Sequence, residues 1–335
     1  MFVILYQTIM IKKIFIFSII IYIIAVIIPF KNNNIIKLNP IVQKFIKKNN
    51  YSSNFEKTAL KTEYIKENKI EFKKSNTYNI DDAPVINAKS AIVVDIKNNN
   101  ILYAKNESER VPVASLAKIM TAIIAIEHSK LDNKFTVSKN SIEIGENTMG
   151  LLLGEKISLK NLLYGLILNS ANDAAVTIAE GVAGTEAEFV DYMNKKSVLL
   201  GANDTLFVDS SGINKYDKKY YSTAIDLAKI SKYSLGFTDL REIFKTVSYT
   251  VPKTDLNSEK FLENQTNLLT TYPGVAGMKT GYTEEAGLCL VSYAKNEDKE
   301  LIVVILGSND RKGDAILLLD YGFKKMGVNV EHNLL

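Results

Sequence analysis

Val113-Ala114-Ser115-Leu116-Ala117-Lys118-Ile119-Met120-Thr121-Ala122-Ile123-Ile124-Ala125-Ile126 is the stretch around which this chain organises itself. Pro112 comes just before it, where proline suits the approach to a helix. The apolar run after Lys118 leaves no polar face, so it predicts a helix buried nearly all round. Ser115 and Lys118 are three residues apart, which puts them on one face of that helix, one turn from each other. A buried ammonium is costly unless it is paired or neutralised, and a neutral amine beside a hydroxyl is a general base beside a nucleophile. The same tetrapeptide also describes an N-cap serine and a lysine whose stem snorkels to water. Its meaning is set by the rest of the chain.

Upstream, Ala91–Ile96 and Ile101–Ala104 flank Lys97-Asn98-Asn99-Asn100, the pattern of a β-hairpin. Downstream, helical spacing of apolar residues runs through Ser158–Leu168, Asp173–Gly181, Glu186–Leu200 and Thr223–Tyr233. Three strand-like runs follow, Gly277–Thr283, Gly287–Ala294 and Leu301–Gly307, joined by short turns as an antiparallel meander. An amphipathic helix, Ala315–Lys325, closes the series. The expected fold class is α/β in the α+β sense, a five-stranded antiparallel sheet packed between helices with an inserted all-helical subdomain.

Composition removes several chemistries. Residues 31–80 carry 11 Lys against 4 acidic residues, and residues 81–335 have a net charge of −5. The basic excess therefore lies outside the expected catalytic body, which argues against nucleic acid as a partner. Cys289 is the single cysteine, so no intramolecular disulfide forms, and its apolar surroundings read as a buried strand. Of two histidines, His332 lies in the last four residues and His128 lies thirteen residues beyond Ser115 on the same expected helix, about 20 Å away. A Ser-His-Asp triad and a His-rich zinc site are both improbable on those grounds. No metal and no cofactor are expected.

Two more motifs stand behind the first in chain order. Ser170-Ala171-Asn172 falls in the break between two helical runs, and Lys279-Thr280-Gly281 lies on the first strand of the meander. Each is weak alone. In this order and on these elements, the three resemble the penicillin-interacting serine hydrolases, and within them the D-alanyl-D-alanine carboxypeptidases or low-molecular-mass penicillin-binding proteins. The resemblance extends to Leu168-Asn169-Ser170-Ala171-Asn172-Asp173-Ala174-Ala175, Ser211-Gly212-Ile213 and Tyr272–Thr283, and covers about residues 86–326.

It implies a β-lactamase/transpeptidase-like fold and a set of roles. Ser115 would attack the penultimate D-alanine carbonyl of a peptidoglycan stem pentapeptide, with Lys118, its pKa depressed, taking the serine proton. Ser170 would relay a proton to the departing D-alanine, and Asn172 would hold Lys118 and the substrate amide. Lys279 and Thr280 would receive the terminal carboxylate, Gly281 would let the peptide lie along the strand edge, and the backbone N–H groups of Ser115 and Tyr282 would form the oxyanion hole. Arg311 matches by spacing the family's arginine near that carboxylate, and reads equally well as a solvated turn residue. β-Lactams would acylate the same serine as covalent inhibitors.

The middle motif is Ser-Ala-Asn where class A β-lactamases usually have Ser-Asp-Asn. Their deacylating Glu, with Asn four residues on, finds only Glu263–Asn267, sixteen residues before Lys279 and too late in the chain. A β-lactamase is the runner-up enzyme, and a non-catalytic penicillin-sensing or wall-binding protein is the alternative of another class. Lys12-Lys13 and the uncharged run 14–30 read as a signal peptide or signal anchor over residues 1–30, followed by a Lys/Asn-rich linker, 31–84, with a short helix around Phe55–Lys69, and a catalytic domain, 85–330. The expectation is export to the extracytoplasmic face of a bacterial membrane, with the N-terminal segment as anchor, or secretion if that segment is cleaved.

Overall fold

The run Leu301-Ile302-Val303-Val304-Ile305-Leu306 is apolar without interruption because both faces of its strand are covered. Leu301, Val303 and Ile305 pack with Ile316, Leu318, Leu319 and Phe323 of the last helix. Ile302, Val304 and Leu306 point the other way, into a larger core with Ile119, Met120 and Ile123 of the Ser115 stretch. The alternation is the period of two that a strand imposes.

The computed structural model describes residues 69–76, 82–214 and 219–334, all within the unit 61–335. The segment 1–30 and the linker up to residue 68, with the short helix expected there, lie outside these residues. The strands are β1 (Lys73–Lys74), β2 (Ser90–Asp95), β3 (Asn100–Lys105), β4 (Lys134–Thr136), β5 (Lys156–Ser158), β6 (Ser248–Val251), β7 (Lys260–Glu263), β8 (Val275–Thr283), β9 (Gly287–Asn296) and β10 (Lys299–Ser308). The helices are α1 (Lys118–His128), α2 (Lys139–Glu143), α3 (Leu159–Leu168), α4 (Asn172–Ala183), α5 (Glu186–Leu199), α6 (Ala224–Ser234), α7 (Thr238–Phe244), α8 (Leu268–Thr271) and α9 (Arg311–Lys325).

The main sheet runs β1-β3-β2-β10-β9-β8. Its five long strands are antiparallel, as expected, with Val93 opposite Val303 and Lys279 opposite Val291. The sixth is a correction to the five-stranded expectation. Lys73 and Lys74 pair in parallel with Asn100 and Ile101, inside the stretch assigned to the linker. Two lysines carry no strand pattern of their own. They are recruited because β3 would otherwise leave an open hydrogen-bonding edge.

Helices start where polar caps allow. Ser158, Thr185, Thr223 and Asp310 each accept a backbone N–H of the first turn, from Asn161, Glu188, Asp226 and Gly313. α1 lies among α3, α4, α5 and α6, and Lys118 through Ala125 are all buried, as a helix without a polar face requires. The helical insertion is tied to the β6–β7 hairpin by a buried pair. Lys260 Nζ lies 3.2 Å from Glu155 Oε2 and donates to Ser258 Oγ (2.6 Å) and the Gly150 carbonyl (2.8 Å).

Candidate active site

Ser115 is in a 3₁₀ turn, Ala114–Ala117, that leads into α1, so the helix proper begins at Lys118 and not at the serine. Ala114 has a left-handed backbone, φ 49°, unfavourable for a residue with a Cβ. Gly212 explains how it is held. Gly212 is itself left-handed, and a Cβ there would overlap the Ala114 carbonyl. On the other side the turn packs on β8 at Gly281, where an added Cβ would lie 3.2 Å from the Ser115 amide nitrogen. The half-buried serine is thus clamped between a loop and the sheet.

Lys118 has no exposed surface, yet all its polar valences are met. Its Nζ donates to Ser115 Oγ (2.9 Å), Asn172 Oδ1 (2.7 Å) and the Ser211 carbonyl (2.7 Å). Burial pushes its pKa down to about 7, against the negative charges of Asp209, Glu146 and Asp173, which favour the ammonium. Asn172 Oδ1 and the Ser211 oxygen can only accept. A neutral amine spends its two N–H groups on them and aims its lone pair at Ser115, the one partner with a proton to give.

Each acceptor is positioned by a buried aspartate. Asp209 accepts from the Ser211 amide (2.8 Å), the Ser211 hydroxyl (2.9 Å) and the Asn214 amide (2.8 Å), fixing the loop that turns the Ser211 carbonyl toward α1. One turn on from Lys118, Thr121 Oγ1 donates to the Ser210 carbonyl of the same loop (2.6 Å). Asp173 accepts from the amides of Met149 (3.0 Å), Leu151 (3.0 Å) and Ala174 (2.8 Å). Beside it, Asn172 Nδ2 donates to the Gly145 carbonyl (3.1 Å), and the Asn172 amide donates to that of Asn147 (2.7 Å).

The break expected between two helical runs is present. α3 ends at Leu168, and Ser170, φ 56°, is the left-handed residue that stops it, a place glycine usually takes. The turn is held by Glu263, whose amide donates to Asn169 Oδ1 (2.9 Å), and by the Gln265 side chain on the Asn169 carbonyl (3.2 Å). Ser170 is nearly buried, and its hydroxyl makes no hydrogen bond to the described residues.

On β8, Lys279 is buried and donates to the Thr280 carbonyl (2.9 Å). Burial, then the positive charges of Lys118 and Arg311, hold its pKa well below the usual lysine range. Thr280 is buried and the Tyr282 side chain is 60% exposed. Arg311, the first residue of α9, is half-buried and donates to the Gly281 carbonyl (3.1 Å), so it is no solvated turn residue. Cys289 is buried, as expected. His128 stacks on Tyr192 and His332 pairs with Asp320, so each is spoken for outside this cluster.

The structure therefore joins Ser115 and Asn172 through Lys118, with Gly281 against the turn that carries Ser115 and Arg311 on Gly281. Asp209, Asp173 and Glu146 were not singled out from sequence. For Asp209 a signal exists, since Asp before Ser-Ser-Gly is the composition of a side-chain-capped turn.

A family profile described as D-alanyl-D-alanine carboxypeptidase matches residues 77–310. A D-alanyl-D-alanine carboxypeptidase of Bacillus subtilis (DacF) is 35% identical over 248 residues, covering 71% of this chain and 62% of that protein. One from Streptomyces strain K15 is 32% identical over 259 residues, covering 72% and 88%. The crystal structure of the Streptomyces K15 DD-transpeptidase superposes with a TM-score of 0.68 at 31% identity, over 72% of this chain and 99% of that one. This chain belongs to the D-alanyl-D-alanine carboxypeptidase family.

Proposed function

We propose that the protein is a serine-type D-Ala-D-Ala carboxypeptidase that removes the terminal D-alanine from peptidoglycan stem peptides through an acyl-enzyme. The observation that carries this reading is the partner set of Lys118, a buried amine with two acceptors and one hydroxyl. As Ser115 Oγ bonds to the carbonyl carbon of the penultimate D-alanine, its proton passes to Lys118. The resulting oxyanion is assigned to the N–H groups of Ser115 and Tyr282. The C–N bond then breaks as the D-alanine nitrogen takes a proton, for which Ser170 is the relay because its hydroxyl has no other described partner. Water then attacks the ester as Lys118 takes one of its protons, and that proton passes to Ser115 Oγ as the shortened peptide leaves.

Lys279, Thr280 and Arg311 are the groups assigned to the terminal carboxylate. The positive charge of Arg311 and the start of α9 favour an anion there, and an anion so bound would in turn favour the protonated form of Lys279. A β-lactam would acylate Ser115 by the same attack. Folded protein should form a covalent adduct with labelled penicillin at Ser115 and release D-alanine from a pentapeptide. An adduct without release would support a penicillin sensor, and rapid turnover of the penicillin a β-lactamase. No adduct at all would overturn the reading.

The basic and apolar run from Lys12 to Phe30 supports export, with the N-terminus as signal or anchor. No helix among the described residues is long and apolar enough to cross a membrane. Mass spectrometry of the mature N-terminus, with membrane fractionation, separates a cleaved signal from a retained anchor.

A further inference from the structure

Three carboxylates act on the buried Lys118, and they are not equivalent. Asp209 and Asp173 are buried and fully engaged with backbone amides. Glu146 is exposed, and its carboxylate has no hydrogen bond or ion pair to the described residues. Its place is nonetheless fixed. Gly145 and Glu146 are both left-handed, with φ 75° and 55°. The carbonyls on either side of Glu146, those of Gly145 and Asn147, are held by the side chain and amide of Asn172. A non-glycine residue kept in that conformation by the site's own asparagine is a residue whose position matters.

The charges around the site are divided. Lys279 and Arg311, the basic groups on β8 and α9, act on one another. The loop bonded to Asn172 carries the unpartnered anion. A substrate whose carboxylate sits on the β8 side would present its acyl portion to the Asn172 side. We propose that Glu146 is a specificity-determining residue that binds a cationic side chain on the acyl side of the scissile bond, such as the free amine of a diamino acid before D-Ala-D-Ala in the stem. The inference rests on the carboxypeptidase reading above. It makes stems with a free side-chain amine the preferred class over those whose amine is acylated or cross-linked.

The test compares three peptides by kcat/KM for D-alanine release, an Nα-acylated L-Lys-D-Ala-D-Ala with its side-chain amine free and the same peptide Nε-acetylated or Nε-succinylated. Wild type should prefer the free amine about fivefold at low salt, as one exposed ion pair allows, and less at high salt. Glu146→Gln should bring the ratio near one, and Glu146→Lys should favour an Nε-succinylated peptide over the free amine. Using the ratio cancels any effect of the variant on Lys118 itself. No preference in wild type, or an equal preference in Glu146→Gln, would overturn the inference while leaving the activity standing. So would a stalled acyl-enzyme in Glu146→Gln with an unchanged ratio. Failure of every peptide to lose D-alanine would instead overturn the carboxypeptidase reading, and the inference with it.

Discussion

Replacing Lys118 by Met should abolish acylation and, at neutral pH, relieve the folded protein of a cost. In the unfolded chain the lysine titrates at its usual 10.5, and in the folded protein at about 7. Between these values the unfolded state binds a proton that the native state does not, so this residue's contribution to stability falls as pH drops from 10.5 toward 7 and levels off below. With 1.36 kcal/mol per pKa unit, the penalty is about 4 kcal/mol at pH 7 and about 2 kcal/mol at pH 9. Lys118→Met removes it, but strands Asn172 Oδ1 and the Ser211 carbonyl, at about 1–3 kcal/mol each. The two effects nearly cancel at a single pH. Their pH dependence does not. Urea unfolding of both proteins at pH 7, 8 and 9 should show wild type gaining about 2 kcal/mol relative to the variant across that range. Titrating groups that do not feel Lys118 drop out of the difference; Lys279, whose pKa the Lys118 charge lowers, is removed from it by making both proteins in a Lys279→Met background. A flat difference would mean that Lys118 is charged in the folded protein at neutral pH, and the general-base reasoning would fail with it.

The same pKa sets the rate profile. Acylation of Ser115 by labelled penicillin should fall about tenfold per unit below pH 7, as the neutral amine disappears; a rate level down to pH 5 would assign the proton to another group. Gly212→Ala places a Cβ in a left-handed residue against the Ala114 carbonyl, so it should cost about 2 kcal/mol in denaturant unfolding and slow acylation further than that loss explains. Unchanged acylation would show that the Ser115 turn does not depend on this contact. Lys260→Met leaves Glu155 buried without its cation and should cost about 3–5 kcal/mol, while the double change with Glu155→Gln should cost less. Equal losses in both would place the cost in packing and not in charge.

Much of this molecule is legible in its sequence. The meander Gly277–Gly307 is marked by three strand-like runs and short turns, and all three strands form with the expected antiparallel pairing. The helix after Ser115 is legible because its first two turns offer no polar face. The start of that helix was misplaced by three residues, because a 3₁₀ turn and an α-helix share the same apolar composition. β1 left no trace, since Lys73-Lys74 acquires its strand geometry wholly from the edge of β3. Arg311 was undecided between site and solvent until the Asp310 cap placed it at the first turn of α9, facing the Gly281 carbonyl.

The sequence determined which reactive groups exist and that Ser115 and Lys118 share one face wherever that stretch is helical. The apolar run after Lys118 favours a buried amine, while the tetrapeptide itself fits a lysine snorkelling to water equally well. Only the tertiary structure decided what the amine does there. Asn172 arrives from 54 positions away and the Ser211 carbonyl from 93, and both bind the Lys118 nitrogen whose third partner is Ser115 Oγ. Local spacing cannot encode a partner that distant; packing of α1, α4 and the Asp209 loop against one another does.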